Sequence, residues 1–497
     1  MSTRLVATVM AHSPDTVAPH LSDPPDGVSF VELRLDALAE PTPENVVALL
    51  DLPRSVPLIA ACHPSEGGEA GGPEPLDDGQ RLALLVAAAN AGADLLDVDD
   101  RLLDRLPGDL PAELIASCHM KRFMPRLDAL ARRIASHGVR FGKLAVPANT
   151  PLQLAELLDL QEQMGEDFAV VPTGRLAEAG RVMVAGRGAA LCYGAADEHD
   201  RGHPDQPDVA RLHAVHHVEP VGGHTRFYAV VGRPVAHSLS PAYHNVIFRS
   251  VGRDARMVAL DVDDLADVLG MADMLRLDGL AVTHPFKTDA IELAAMAMPG
   301  SMATGAANTL LRTPNGWQAR NTDWKAACDL MPKIIKRWRK DHPGAKPRVL
   351  LLGAGGAARA MAIALSGEDD VIIDLWGRDG DRAQQLADDL ATRWLPEPGD
   401  ERWDLIINAT PVGMAGDVED TLPVRARHFE AGALALDLAY GGEHSSFREA
   451  AGQAGAQMTE GEDFFLQQAR RQAELFCGAA VPADVHKLAT ASCRGEA

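Results

Sequence analysis

The sequence predicts an α/β protein in two parts: an N-terminal (β/α)8 barrel, and a two-lobed unit whose second lobe is a Rossmann nucleotide-binding fold. Three observations carry this. Eight short apolar runs, most of them separated by stretches with room for a helix, fill residues 5–194, which is the rhythm of a closed parallel barrel. A polar interval rich in His, Pro and Gly, 197–226, then breaks that rhythm. Beyond it, RVLLL at 348–352 precedes GAGGAAR at 353–359 and the helix-compatible AMAIAL, the strand, glycine loop and helix order of a dinucleotide site.

The eight runs are LVATVM (5–10), FVELRLD (30–36), PLIAAC (57–62), LLDVD (95–99), LIASCH (114–119), FGKLAVP (141–147), FAVVPTG (168–174) and AALCYG (189–194). QRLALLVAAANAG at 80–92 is typical of the intervening helical stretches. In a barrel of this kind active-site groups gather at the C-terminal strand ends. Glu32, Arg34, Glu66, Asp97, His119 and Lys143 all lie within or just after these runs. An open doubly wound sheet is the alternative. DEHDRGHPDQPD reads as a loop over the barrel mouth, and HHVEPVGGHTR as a linker. FYAVVGRPVAHS then restarts a strand. The expected organisation is a barrel over 1–215, a mixed α/β substrate lobe over 226–335, a nucleotide lobe over 345–435 and a returning segment over 436–490.

A chain of 497 residues suits two or three domains. The formal charge of -23 argues against nucleic acid and anionic membrane as partners. Anionic small molecules then need local basic residues. Six cysteines at 62, 118, 192, 328, 477 and 493 form no CxxC pair, which suggests a reducing cytoplasm. The first apolar run is too short for a secretion signal. No segment approaches the roughly 20 apolar residues of a membrane span, and no metal-ligand spacing stands out.

Five strings between 236 and 359 carry the chemistry of the second part: HSLSP (237–241), VTHPFK (282–287), GAANT (305–309), NTD (321–323) and the glycine loop. Ser238 and Ser240 are two apart, and on an extended segment they face the same way. Taken alone, the pair reads as a serine turn before Pro241. Thr283 precedes Lys287 by four residues, and a lysine beside an aspartate can move a proton to or from a substrate oxygen. Asn308 and Asp323 sit in polar turns. Gly353, Ala354, Gly355, Gly356 and Ala357 offer close backbone approach to a pyrophosphate at a helix N-terminus. After the next strand, Arg378 could face a 2′-phosphate and Asp379 a free 2′-hydroxyl. DLIINATPVGM at 404–414 reads as a later strand and turn beside a nicotinamide. Gln468 and Gln472 share a helix face.

On these strings residues 227–478 resemble shikimate dehydrogenases. The resemblance extends to HN at 244–245, NATPVGM, DLAY and GEDFFLQQARRQ. It implies Lys287 and Asp323 as the catalytic pair. It implies Ser238, Ser240, Thr283, Asn308, Tyr440, Gln468 and Gln472 as substrate-holding groups. It further implies contacts to NADP, with NAD possible, from the glycine loop, Arg378, Asn408, Thr410, Gly413, Met414 and Gly461. The chain departs from the family at Ala281, where an Asn is usual, at Gly377-Arg378-Asp379 in place of Asn-Arg-Thr, and at Phe464-Phe465 in place of Met-Leu.

Lys143 lies in an apolar strand, where a charge is costly unless it is used. Desolvation would make its amine a nucleophile towards carbonyls. His119 ends the preceding strand, and Glu66 could orient that imidazole. With ELR at 32–34, EGG at 66–68, Ser-Cys-His at 117–119, GKLA at 142–145, the stretch from Gly174 to Arg181 and HPDQP at 203–207, residues 1–210 resemble type I 3-dehydroquinate dehydratases. The resemblance implies Lys143 as imine-forming lysine, His119 and Glu66 as catalytic partners, and Glu32, Arg34, Arg181 and Gln206 as substrate contacts. Here Cys62 stands for a substrate-gripping Arg, Gly202 for a lid Ser, Gly180 for the Ser before Arg181, and Gly188-Ala189 for Gly-Ser.

The two resemblances together imply consecutive steps of the shikimate pathway: dehydration of 3-dehydroquinate, then NADPH-dependent reduction of 3-dehydroshikimate. The alternatives are a quinate/shikimate dehydrogenase with a weak or inactive barrel, and a metabolite-binding regulator without turnover. The retained Lys143, His119, Lys287 and Asp323 speak against the regulator, because binding alone needs no proton-transfer groups.

Overall fold

The computed structural model describes residues 3–64, 75–197, 199–219, 221–413, 422–439, 445–459 and 461–495. Glu66, Met414 and Tyr440 lie outside the described residues. The chain forms two compact units, one of residues 1–229 with 248–278, the other of residues 230–247 with 279–497.

In the first unit eight strands follow the eight predicted runs: β1 (Arg4–Met10), β2 (Val28–Arg34), β3 (Leu58–Ala61), β4 (Leu95–Asp99), β5 (Glu113–His119), β6 (Phe141–Pro147), β7 (Phe168–Thr173) and β8 (Leu191–Ala195). They pair in parallel in the order β7-β6-β5-β4-β3-β2-β1-β8. Where β7 and β8 meet, the Ala190 N–H donates to Phe168 O at 3.0 Å, so the barrel is nearly closed. Its interior is aliphatic, with Val6, Ile59, Leu95, Ile115, Phe141 and Val171 packed together. Local signals set the helices. Asp77 and Gln80 form a capping box at the start of the helix Asp78–Asn90, which buries Leu82, Leu84, Leu85 and Ala88. Gly180 explains one departure noted above: a Cβ there would lie 2.7 Å from Pro172 Cβ.

Residues 248–278 group with the barrel residues in this division, so the stretch expected as one lobe over 226–335 contributes to both units. Arg175 Nη2 pairs with Asp263 Oδ2 at 2.6 Å, Arg276 Nη2 donates to Glu162 Oε1 at 2.9 Å, and the buried Arg256 donates from Nε to His216 O at 2.8 Å. Hydrophobic periodicity carries no trace of such long-range polar ties. β9 (Arg226–Gly232) leads from the first unit into the second, and β10 (Ala255–Asp261) lies in the first.

In the second unit, β11 (Leu277–Val282), β13 (Thr309–Thr313), β14 (Gly316–Arg320) and β12 (Met296–Ala297) lie side by side in that order. β13 is antiparallel to β11 and to β14. A separate parallel sheet holds β15 (Arg348–Leu352), β16 (Ile372–Trp376), β17 (Arg393–Trp394), β18 (Trp403–Asn408), β19 (Phe429–Asp437) and β20 (Gln457–Thr459). Its order, β17-β16-β15-β18-β19-β20, is doubly wound and reverses at β15, where such sheets bind nucleotides.

Candidate active sites

The barrel centre follows from strand alternation. Side chains of alternate strands form one inward layer, so Glu32 of β2, Asp97 of β4, Lys143 of β6 and Tyr193 of β8 converge. Lys143 Nζ lies 2.6 Å from Asp97 Oδ2, 3.2 Å from Glu32 Oε2 and 3.9 Å from the Tyr193 ring centroid. Thr8 of β1 donates to Glu32 Oε1 at 3.1 Å. Lys143 is only 3 % exposed. A buried ammonium persists only when paired, and two carboxylates pair this one. Burial by itself would raise the Asp97 carboxyl; the Lys143 ammonium outweighs it and holds Asp97 below the usual carboxylate range.

His119 ends β5 one strand away. Desolvation of its ring, reinforced by Lys143, lowers its pKa to about 3, so the imidazole is neutral at physiological pH and able to accept a proton. His63 packs on it with ring centroids 4.1 Å apart. Cys62 is fully buried and its thiol is pushed up to about 12, chiefly by burial, so it offers no charge to replace the missing Arg. Arg34 is clamped by both Asp36 oxygens, at 3.0 and 2.7 Å. The Arg181 guanidinium donates to the carbonyls of Pro172 at 3.1 Å and Tyr193 at 2.5 Å. Burial lowers its pKa to about 10, and it remains a cation. The loop after β8 folds over this end: a Cβ on Gly202 would lie 3.1 Å from Arg34 Nη1 and 3.3 Å from Gln206 Oε1. Asp200 fastens the loop through His12 Nε2 at 3.0 Å.

The second centre lies in the other unit. Lys287 Nζ donates to Asp323 Oδ2 at 2.5 Å. Asp323 sits in the first turn of the helix Thr322–Asp341, capped by Asn321, where the helix dipole favours its negative charge. Its Oδ1 accepts from Asn308 Nδ2 at 2.9 Å. Asn308 is fixed in turn by Thr322 and Gln468 at 2.8 and 3.1 Å. Gln472, 2 % exposed, donates to Asn308 O and Thr309 Oγ1 at 3.0 and 2.8 Å. The glycine loop approaches this pair. A Cβ on Gly356 would meet Ala306 Cβ at 2.9 Å and Lys287 Cδ at 3.4 Å. Gly353, at φ +116, could carry no side chain without striking Ala409 O at 2.9 Å. Gly355, at the N-terminus of the helix Gly356–Ser366, has open space where a Cβ would stand, which fits the phosphates of a dinucleotide at a helix start.

Residues 230–310 match the family model of the shikimate dehydrogenase substrate binding domain, and residues 5–220 match that of type I 3-dehydroquinase. A shikimate dehydrogenase (NADP(+)) from Anaeromyxobacter sp. strain Fw109-5 is 35 % identical over 53 % of this chain and 94 % of its own length. The chain belongs to the shikimate dehydrogenase family. Over nearly its whole length, 97 %, it is also 27 % identical to the chloroplastic bifunctional 3-dehydroquinate dehydratase/shikimate dehydrogenase of Arabidopsis thaliana, covering 83 % of that protein. The solved dehydroquinate dehydratase and shikimate dehydrogenase from S. pombe is 18 % identical, covering 99 % of this chain and 98 % of its own, at a TM-score of 0.42.

Within this shikimate dehydrogenase unit, one expectation needs correction. Ser238 and Ser240 are not on an extended segment: the chain turns at 236–237 and enters the helix Ser240–Ser250, with the Ser240 N–H donating to Ser238 Oγ at 3.3 Å. The following proline favours a helix start over a strand. Asn408 is fully buried and spends its amide on Val412 O and Asp437 Oδ1, at 3.1 and 2.8 Å, while Thr410 bonds back to it at 2.7 Å. These bonds shape the turn that follows β18. Asp379, read as a rival for the ribose, caps the helix Gly380–Asp389 by accepting the Arg382 N–H at 3.0 Å. The basic groups of that region, Arg378 and Arg382 with Lys287, help depress His284 below its normal range, after burial. The sequence reading missed Asp97 as the partner of Lys143, although a carboxylate in the apolar run LLDVD carries the same signal as a lysine in FGKLAVP. His63, next to Cys62 in sequence, was legible as a donor in place of the missing Arg; Thr322 and Tyr193 gave no signal of their own.

Proposed function

We propose that the chain performs two successive reactions on one small carbocyclic acid. The barrel, over 1–215, dehydrates 3-dehydroquinate. The remainder, with a substrate lobe over 226–335, a nucleotide lobe over 345–435 and a returning segment over 436–490, reduces 3-dehydroshikimate to shikimate with NADPH. The observation that carries the reading is that each unit holds its own lysine–carboxylate centre: Lys143 with Asp97 and Glu32, and Lys287 with Asp323.

In the barrel, the neutral His119 takes an ammonium proton, the freed Lys143 amine attacks the ring ketone, and His119 returns that proton to the hydroxyl so formed. Loss of water gives an imine, which acidifies the adjacent C–H. His119, neutral by virtue of its surroundings, removes that proton and returns it to the leaving hydroxyl, which departs as water. Hydrolysis of the imine restores Lys143. Arg181 supplies the positive charge that a carboxylate needs in so acidic a chain, Arg34, paired with Asp36, adds a hydrogen-bond donor, and Gln206 closes over the substrate.

In the second unit, Gly353, Ala354, Gly355, Gly356 and Ala357 would hold the pyrophosphate and Arg378 the 2′-phosphate. Gly413 and Gly461 would line the nicotinamide end. The bound reduced nicotinamide supplies hydride. Lys287 donates a proton to the ketone oxygen as it becomes a hydroxyl, and Asp323 orients the ammonium. Asn308, Thr283, Ser238, Ser240 and Gln468 orient the ring, with Gln472 bracing Asn308. The substrates are small anionic molecules, and the scattered cysteines favour a cytoplasmic setting. Among the described residues no helix is long and apolar enough to cross a membrane.

The test is to incubate the whole chain with 3-dehydroquinate and NADPH and to follow shikimate. Borohydride added with 3-dehydroquinate should fix substrate mass on Lys143. Absence of that adduct at saturating substrate refutes the barrel reading; failure to reduce 3-dehydroshikimate refutes the other.

A further inference from the structure

The barrel mouth holds three potential metal ligands on successive odd and even strands. His63 follows β3, Asp97 lies in β4 and His119 ends β5. One ligand atom from each lies within 4.8 Å of the others. Three points so spaced share a centre no more than about 2.8 Å from each, against the roughly 2.0–2.2 Å of zinc–nitrogen and zinc–oxygen bonds. Rotamer adjustments of under about 1 Å would therefore complete three bonds.

Two further observations point to a ligand. His63 is 7 % exposed, and its ring lies 4.1 Å, centroid to centroid, from that of His119, which is open to solvent. Asp97 Oδ2 is taken by Lys143, but Oδ1 is buried with no partner. An unsatisfied buried carboxylate oxygen is costly and calls for an explanation. Charge permits a cation. Glu32 and Asp97 together outnumber the Lys143 ammonium by one negative charge, and the nearby Arg34 is already neutralised by Asp36.

We propose that His63, Asp97 and His119 form a transition-metal site, taking Zn²⁺ and, as a spectroscopic substitute, Co²⁺. Two imidazoles and one carboxylate suit these ions far better than Mg²⁺ or Ca²⁺, and a three-ligand set leaves a position for water or a substrate oxygen. Neither ring has an outer partner to fix it among the described residues, so binding is reversible and not structural. Its consequence rests on the dehydratase reading: a metal on His119 removes the base, and the barrel is switched off while the dehydrogenase runs on.

The experiment uses the full chain, stripped with chelator. Titration with Co²⁺ should give one equivalent of visible d–d absorption of low-symmetry nitrogen–oxygen type, without the intense near-ultraviolet band of thiolate ligation. Calorimetry should give one saturable Zn²⁺ site. Both His63→Ala and His63→Gln should weaken it by at least about tenfold, with circular dichroism and thermal melting of each variant reporting an intact barrel. Zn²⁺ should inhibit dehydration reversibly, and chelator should restore it. No saturable binding, or binding undiminished in both His63 variants, overturns the site. Normal binding in a chain with no dehydratase activity even when metal-free leaves the site standing and refutes only the dehydratase reading.

Discussion

Replacing Lys287 by Met tests the second centre with least collateral change, because Met keeps the aliphatic stem that lies against the start of the nucleotide helix. The lysine donates one charge-assisted hydrogen bond, 2.5 Å long, to Asp323. Such a bond contributes about 1.5–3 kcal/mol. Asp323 keeps the Asn308 bond at 2.9 Å and its place in a helix first turn, the latter worth about 0.3–1 kcal/mol. The Lys287 side chain is 22 % exposed, which reduces the loss. The net destabilisation should be about 1–2 kcal/mol, a Tm shift of a few degrees. Catalysis should suffer far more. A positioned acid–base group is worth about 10²–10⁴-fold, or about 3–5 kcal/mol of barrier. The assay is steady-state oxidation of shikimate by NADP, with calorimetric Tm and, on the same preparation, dehydratase turnover as internal control. Expected are a kcat down by at least about 100-fold, nearly unchanged cofactor affinity and unchanged dehydration. A kcat within a few-fold of the parent would refute Lys287 as the proton donor.

Arg378→Ala should lower kcat/KM with NADP by at least about tenfold while leaving NAD nearly unaffected, since a lost charge-assisted contact costs about 1.5–3 kcal/mol; a parent enzyme preferring NAD would overturn that assignment. Gln472→Leu, behind Asn308, should raise KM for shikimate more than it lowers kcat, checked by initial rates; an unchanged KM would show that the Asn308 side chain needs no brace. His244 is fully buried with a pKa lowered to about 4 by burial. Its neutral form contributes stability that is fully present above the unfolded value near 6.5 and is lost as pH falls from there towards 4. The Tm of the dehydrogenase unit should therefore drop between pH 7.5 and 5, and His244→Gln should flatten that slope; an equally steep slope in the variant would place the titration elsewhere.

The sequence by itself determined the architecture and both lysine centres. Periodicity resolved eight barrel strands because burial on both faces forces near-continuous apolar runs, and against that background Lys143 is conspicuous. The glycine loop was legible because a strand, glycines and a helix in that order leave a recognisable string, and Gly353 and Gly356 are required where the loop packs against Ala409 and Ala306. Ser238 and Ser240 were misjudged because a two-residue spacing is silent about whether the backbone is extended or turning into a helix. What only the tertiary structure decided is which polar groups meet. Asp97 and Glu32 join Lys143 because alternate barrel strands aim into one layer across 46 and 111 residues of chain. Arg175 and Arg276 likewise find Asp263 and Glu162 only once the chain is folded. That the His63 ring packs 4.1 Å from His119 is likewise a matter of the fold. Hydrophobic burial repeats along a chain and can be read from it. Electrostatic pairing acts between residues that only the folded backbone brings within a few ångströms.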